Sequence, residues 1–318
     1  MPELPINILS DLTKSAQTYR KELLIAPMIG ARETLQHMTA RAGVRGKETV
    51  GQLKGSFEIG PYDAKRRNGD GVTITPRTLE TFLGSCIEDF DPNKVWQSVY
   101  GSLITQGAAL TDVPIAKAIL AFAMEQLGQR LNMGIFAAKR NESGTKTSDL
   151  FNGIDTITAA EIAAGNIATG HHNLFALEAF TKNNAVEQLK ALYAASSDAL
   201  QGQKVKLYMP RDVYRLYCED YQATVGAIPY NTQYGHRTLE GSDGLCELVP
   251  LTSKKGSKFL HLTPKSNMLY GFGDGLADEK VEVGKWDPIL LTLVATMYFG
   301  TQLESIEAET LMVGQIAG

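Results

Sequence analysis

The stretch from about Gly46 to Pro76, GKETVGQLKGSFEIGPYDAKRRNGDGVTITP, constrains this chain more than any other. Glycines recur at 51, 55, 60, 69 and 71, and a weak apolar alternation runs through Phe57/Ile59 and Val72/Ile74. Two such arms around a glycine-rich tip predict a long β-hairpin. Its sides carry too few large apolar groups to bury a face of their own, and a lone two-stranded ribbon is marginal in water. A chain that contains this ribbon needs a neighbour to cover it.

The remainder of the sequence is that of a folded protein. With 318 residues it lies at the upper edge of what one hydrophobic core serves, which predicts two packed subdomains or an elongated body with appendages. Apolar residues make up 43% and charged residues 21%, ordinary values for a globular chain. No uninterrupted apolar run is long enough to cross a bilayer, and the polar start MPELPINILSDLTK does not read as a secretory signal. Cys86, Cys218 and Cys246 are odd in number and far apart, which suits a reducing compartment. The net charge of −4 argues against a dedicated nucleic-acid binder. Its distribution is uneven: residues 1–80 hold 12 Lys/Arg against 9 Asp/Glu, and the rest holds 19 against 26. Opposite signs at the two ends favour head-to-tail contact between copies, although random scatter gives the same count.

Residues 1–43 are polar and helix-tolerant without an obvious core stripe, as in an arm ordered only against something else. The clearest element lies in TDVPIAKAILAFAMEQLGQRLNMGIFAAKR. Thr111 or Asp112 can cap its amides, and Pro114 fits the first turn. Ile115, Ile119, Phe122, Leu127 and Leu131 recur at helical spacing and predict the core seam of a helix over 112–140, about 40 Å long. Gly128 and Gly134 are places where it can bend or loosen. Beyond it, 184–200 reads as an amphipathic helix, VKLYMP (205–210) as a buried strand, and RDVYRLYCEDYQATVG as a helix. This order predicts an α/β subdomain. LCELVPLTSKKGSKFLHLTP reads as a hairpin turning at Lys255-Gly256, and the C-terminal region as strands, with alternation at Ile306, Ala308, Thr310 and Met312.

No stretch carries recognisable chemistry. YDAKRRNGDGVTI, the basic segment of the ribbon, lacks the Gly-Lys-Ser/Thr and helix start of a phosphate loop, and Val-Thr-Ile-Thr-Pro after it favours an extended chain. GFGDG (271–275) begins like a dinucleotide fingerprint but has no strand–turn–helix context. His171 and His172 are adjacent and lack the spacing of a helical zinc pair. The acids of IEDFDPN (87–93) fit a turn leading into a helix. Cys218 lies among Tyr214, Tyr217 and Tyr221, which suggests packing. No catalytic, cofactor or metal set is expected.

The order of parts is an arm, a glycine-rich hairpin, a long helix, an α/β insertion and a return through long strands. With the phrases SDLFNGIDTI, VKLYMPRDVYRLY and FGTQLESIEAETLMVG, that order resembles the major capsid proteins of tailed bacteriophages, the α+β Hong Kong 97-type fold. The resemblance covers nearly the whole chain. It implies an N-terminal arm (1–45), an extended loop (46–80), a peripheral domain (81–150 with the spine helix, and return strands 276–318) and an axial domain (151–275). It implies that Lys65, Arg66, Arg67, Asn68 and Asp70 at the loop tip reach acidic surface on a neighbouring copy. Copies would form hexamers and pentamers of a phage head enclosing double-stranded DNA through weak, sequence-independent contacts. Portal and head-completion proteins, and a separate scaffold or decoration protein, are the partners such a shell implies. Assembly would take place in the host cytoplasm and the product would be the virion capsid, with no membrane and no cofactor. In some relatives a loop lysine is cross-linked to a neighbour, but no motif here identifies that chemistry. An encapsulin-type nanocompartment shell is the alternative within the fold, and an α/β enzyme the alternative outside it.

Overall fold

The computed structural model describes residues 20–54, 61–62, 73–90, 115–225, 238–275, 277–285 and 290–317. Helix α1 (Arg20–Gly30) and the single turn α2 (Arg32–Leu35) lead into β1 (Thr39–Ala42). The ribbon strands β2 (Lys47–Lys54) and β3 (Thr73–Glu80) then run into β4 (Phe82–Phe90). After α3 (Ile115–Ala137) come α4 (Ile154–Ala163), β5 (Leu174–Leu177), α5 (Ala185–Ala194), the turn α6 (Asp198–Gln201), β6 (Val205–Pro210) and α7 (Arg211–Val225). Strands β7 (Cys246–Leu251), β8 (Phe259–Thr263), β9 (Met268–Phe272), β10 (Lys280–Lys285), β11 (Leu291–Leu303) and β12 (Met312–Ile316) follow.

Ten of these strands make two five-stranded sheets, and β2 and β3 pair apart from them. One has the order β5-β12-β8-β6-β7; the other is β1-β9-β11-β10, with β4 also paired to β11. In the second, β9 pairs with 299–303 and β10 with 291–296, so both lie along β11, while β4 pairs with 291–299. The first sheet packs its face on α5 and α7 through Leu189, Leu192, Leu207, Val213, Tyr217 and Leu262. Asp220 of α7, buried, accepts a bond from the Val186 amide at 2.8 Å and so caps α5 from a neighbouring helix.

Helix α3 ties the two sheets together. Leu120 and Met124 in its N-terminal half pack with Leu23 of α1 against Val281, Val283, Leu291 and Leu293. Leu131, Ile135 and Phe136 in its C-terminal half join Tyr208, Val249, Phe299 and Leu303 in a shared core. Gly128 serves the crossing with α1: a Cβ there would sit 2.5 Å from Pro27 O and 2.8 Å from Gly30 Cα. The backbones touch, so this glycine permits close approach.

Several expectations are corrected. Residues 20–42 do have a core stripe, because Leu23, Ala31, Leu35 and Met38 are buried and β1 pairs with β9. Its spacing is broken by Pro27 inside α1, which hides it from a periodicity reading. The helix over 184–200 breaks after Ala194, where the Ser196 hydroxyl bonds Tyr193 O and Ser197 caps the next turn. Residues 87–90 belong to strand β4 instead of a turn into a helix. Strands β7 and β8 are not a hairpin: β6 lies between them, parallel to β7 and antiparallel to β8. The turn at Gly256 is real (φ +75°), but it carries the chain over β6. The alternation at Ile306, Ala308 and Thr310 is not strand either. Asn267 bonds both the amide and the carbonyl of Ser305, and the chain turns there before β12. Finally, the sheets do not divide at 275/276: β12 lies with β8 in one sheet and β9 with β11 in the other.

Candidate assembly site

The ribbon pairs in register from Lys47↔Glu80 to Lys54↔Thr73. Among its described apolar side chains, the buried ones lie at the root. Val50 and Leu79 close a small core with Val44 and Leu269, whereas Thr75, Pro76 and Thr78 are exposed.

The root sits in a notch made by two paired glycines. Gly300 of β11 faces Gly271 of β9. A Cβ on Gly300 would lie 1.9 Å from Glu80 O, and one on Gly271 would lie 2.7 Å from the Thr81 methyl. Thr81 itself is buried and pins the corner. Its amide donates to Gly46 O at 2.6 Å, and its hydroxyl donates to Val44 O at 3.0 Å while accepting from the Gly46 amide at 3.0 Å.

Three residues from Glu80, Arg77 straps the ribbon to the body. Its Nε donates to Leu303 O at 3.0 Å, and its Nη2 donates to Glu161 Oε1 at 2.7 Å and Gln302 Oε1 at 3.2 Å. Gln302 returns a bond to Thr78 O at 2.7 Å. The Arg77 side chain is 13% exposed, unlike the residues flanking it. Burial pushes the Glu161 carboxyl up, but the bonds from Asn166 and Arg77 outweigh it and hold the group below its ordinary value.

Lys65, Arg66, Arg67, Asn68 and Asp70 lie outside the described residues; Tyr62, close by, is 96% exposed. On α3, Ile115 and Ile119 fall within the helix but their side chains are outside the described set. Leu131 is buried and Leu127 half-buried beside Leu120 and Met124. Phe122 is corrected: it is 64% exposed, because the seam facing the sheets runs through Leu120, Met124, Leu131 and Ile135. The helix also ends at Ala137, short of 140, where Lys139 bonds Ser148 O and the chain turns back on itself. The start at 112–114 lies outside the described residues. Besides Tyr62, the other exposed large apolar side chains among the described residues are Ile25 and Ile29 on α1, Met133 on α3, and Leu83 and Ile87 on β4.

The sequence reading missed a largely buried polar cluster that ties α2 and α4 to the first sheet. The turn Thr252–Lys254 carries three polar residues inward. Thr252 donates its amide (3.1 Å) and hydroxyl (2.8 Å) to Glu33 Oε1, which also accepts from Arg211 at 2.8 Å. The hydroxyls of Ser253 and Thr34 bond at 2.7 Å. Lys254, with no exposed surface, donates to Asp155 Oδ1 at 2.9 Å and to His261 Nδ1 at 3.1 Å, and its Nζ stands 4.1 Å from the Phe136 ring centroid. Since Nδ1 accepts, His261 carries its proton on Nε2 and donates it to Thr158, 2.9 Å away, whose hydroxyl bonds Ile154 O. Burial, then the Lys254 charge, holds His261 well below its ordinary value; burial also lowers Lys254, against the pull of Asp155. A lysine, a histidine and a carboxylate in contact resemble a reactive trio, but Lys254 and His261 are sealed from solvent and bonded to one another. The cluster locks structure.

No family model matches the chain, and no curated protein matches it by sequence. Solved structures do match by fold. The capsid of a native GTA particle aligns over 90% of each chain with TM-score 0.59 and 9% identity. The satellite phage P4 procapsid aligns over 92% of this chain and 98% of its own, with TM-score 0.56 and 12% identity. The holo-SrpI encapsulin complex from Synechococcus elongatus aligns over 89% and 86%, with TM-score 0.53 and 12% identity. The chain has the α+β fold of the Hong Kong 97 type.

Proposed function

We propose that the chain is a structural, non-enzymatic shell subunit, the major capsid protein of a tailed phage, whose hexamers and pentamers enclose double-stranded DNA. The observation that carries this reading is the fold shared with phage capsids over about nine-tenths of both chains, together with a ribbon whose buried apolar side chains, among those described, are Val50 and Leu79 at its root. Heterologous contacts between one face of a copy and a different face of the next close into rings when the rotation fits. The ribbon, with Lys65, Arg66 and Arg67 toward its tip, is one such face, and an acidic surface on the adjoining copy is the other. Each exposed ion pair contributes about 0–1 kcal/mol, so register comes from repetition around the ring. Portal, scaffold or decoration proteins and assembly in a host cytoplasm belong to the same reading.

The encapsulin likeness supports a second reading, a shell around protein cargo. Electron microscopy of the expressed chain tests the first: closed shells are expected, and a solitary monomer at high concentration overturns it. Particles recovered from the native source with packaged DNA select the capsid, and a co-purified enzyme cargo selects the nanocompartment. Deleting Gly60–Gly71 should leave a folded subunit that makes no stable shells; normal particles would remove the ribbon's role.

A further inference from the structure

The shell reading leaves open how a two-stranded ribbon, marginal by itself, comes to point in one direction before a neighbour arrives. We infer that Arg77 is the assembly-positioning residue of this chain: with the Gly271/Gly300 notch it fixes the angle at which the ribbon leaves the body. The inference rests on the shell reading and names the device that serves it.

Two fixed points define a direction. The first is the root, where the backbone of Glu80 and Thr81 lies against Gly300 and the Thr81 methyl lies against Gly271. The second is Arg77, whose planar guanidinium and Nε reach three acceptors on two elements of the body, β11 and α4. A compact ammonium does not supply this fork. An arginine on a protruding ribbon ordinarily stays in water. On its own face of the strand Arg77, 13% exposed, lies between buried Leu79 and exposed Thr75, so it marks how far along that face the ribbon is held to the body. Beyond Arg77 the described ribbon runs on through Thr73, about 13 Å further at strand rise. Angular play at the strap is magnified along that arm and displaces every contact made beyond it. Association is weakened by the cost of ordering the partners, so a ribbon already held at two points loses less freedom on docking. The carboxylate side is fixed as well: Glu161 accepts from Asn166 at 2.7 Å, which leaves it aimed at Arg77.

The experiment uses purified full-length subunits of wild type, Arg77→Met, and Arg77→Met with Glu161→Gln. Methionine keeps the stem and removes every donor; the double variant leaves no half-buried carboxylate unpaired. Three quantities are read: Tm of the unassembled subunit, amide exchange at 47–54 and 73–80, and the assembly rate by light scattering. Both variants should fold, exchange faster at the ribbon, and assemble about tenfold more slowly, the factor matching the loss of one or two ordered side chains. Faster ribbon exchange with a wild-type assembly rate overturns the positioning role, and unchanged exchange overturns the strap. If Arg77→Met is insoluble, Arg77→Lys decides. It keeps the charge opposite Glu161 but not the fork, so slowed assembly supports the role and a wild-type rate overturns it. Failure of wild-type subunits to form shells at all would instead sink the shell reading, while the exchange measurement would still report whether Arg77 holds the ribbon.

Discussion

Replacing Gly300 by alanine perturbs one methyl group at the point where the ribbon meets the body. The new Cβ would lie 1.9 Å from Glu80 O, 2.9 Å from its carbonyl carbon and 3.1 Å from Thr81 Cα. All three are backbone atoms, so no rotamer change relieves the clash, and the root must withdraw by about 1 Å to reach even 3.0 Å. Withdrawal strains what holds the root down: the Thr81–Gly46 bond at 2.6 Å, the Gln302–Thr78 bond at 2.7 Å and the buried Leu79. Overpacking of this kind costs about 1–3 kcal/mol. For a chain of this length that is roughly 1.5–4.5 °C in Tm. Gly284→Ala supplies the control. Gly284 lies on β10 of the same sheet, and a Cβ there meets nothing within 4 Å. By restricting the unfolded chain it should be neutral or stabilising by about 0.4–1 kcal/mol. Calorimetry of the two subunits, with amide exchange at 47–54 and 73–80, reads the contrast. Equal Tm values, or a Gly300→Ala ribbon exchanging at the wild-type rate, would refute the notch as a rigid seat.

Three further outcomes follow from the buried residues. His261 is held neutral in the fold and protonates near its ordinary value when unfolded, so its contribution is fully present above about pH 6.5 and is lost as pH falls below it. Tm should drop between pH 7.5 and 5.5 by more in wild type than in His261→Gln, and parallel profiles would exclude the assignment. Lys254→Ala strands Asp155 beside an apolar wall and should cost about 3–5 kcal/mol in urea unfolding, with a value under 1 indicating that the pair is not buried as described. Leu131→Ala should cost about 2–5 kcal/mol, whereas Phe122→Ala should stay within about 0.5 kcal/mol for the unassembled subunit, and the reverse order would restore Phe122 to the seam.

What the sequence disclosed was local. VKLYMP and the helix after it were legible because an apolar run bounded by Pro210 leaves few choices, and α3 because its apolar spacing continues for many turns. The ribbon arms were legible from glycine spacing. Partnerships across the chain were not. The Lys255-Gly256 turn signal was sound, yet nothing near it says that β6 will lie between the flanking strands. Lys254, in TSKKG, looks like any turn lysine; only three dimensions show Asp155, His261 and Phe136 closing round it. Gly271 suggested a poor nucleotide fingerprint and Gly300 suggested nothing, although an isolated strand glycine is a known sign of close backbone approach. Each makes sense only when paired with the other beneath Glu80.

The same division separates what the subunit completes alone from what it leaves open. The cores close around α3, and the polar turn at 252–254 is satisfied within the chain. Exposed apolar side chains among the described residues lie elsewhere, at Ile25 and Ile29 on α1, at Phe122 and Met133 on α3, and at Leu83 and Ile87 on β4, alongside a ribbon whose described buried apolar side chains are Val50 and Leu79. They lie on three elements, α1, α3 and β4. A two-fold dimer buries one self-complementary patch twice, whereas the head-to-tail contact of the shell reading sets one surface of a copy against a different surface of the next. Whether that contact closes into a ring or runs on as a filament depends on the rotation between copies. A ribbon whose exit angle is set at Gly300 and Arg77 makes that rotation a property of the subunit, present before the first contact forms.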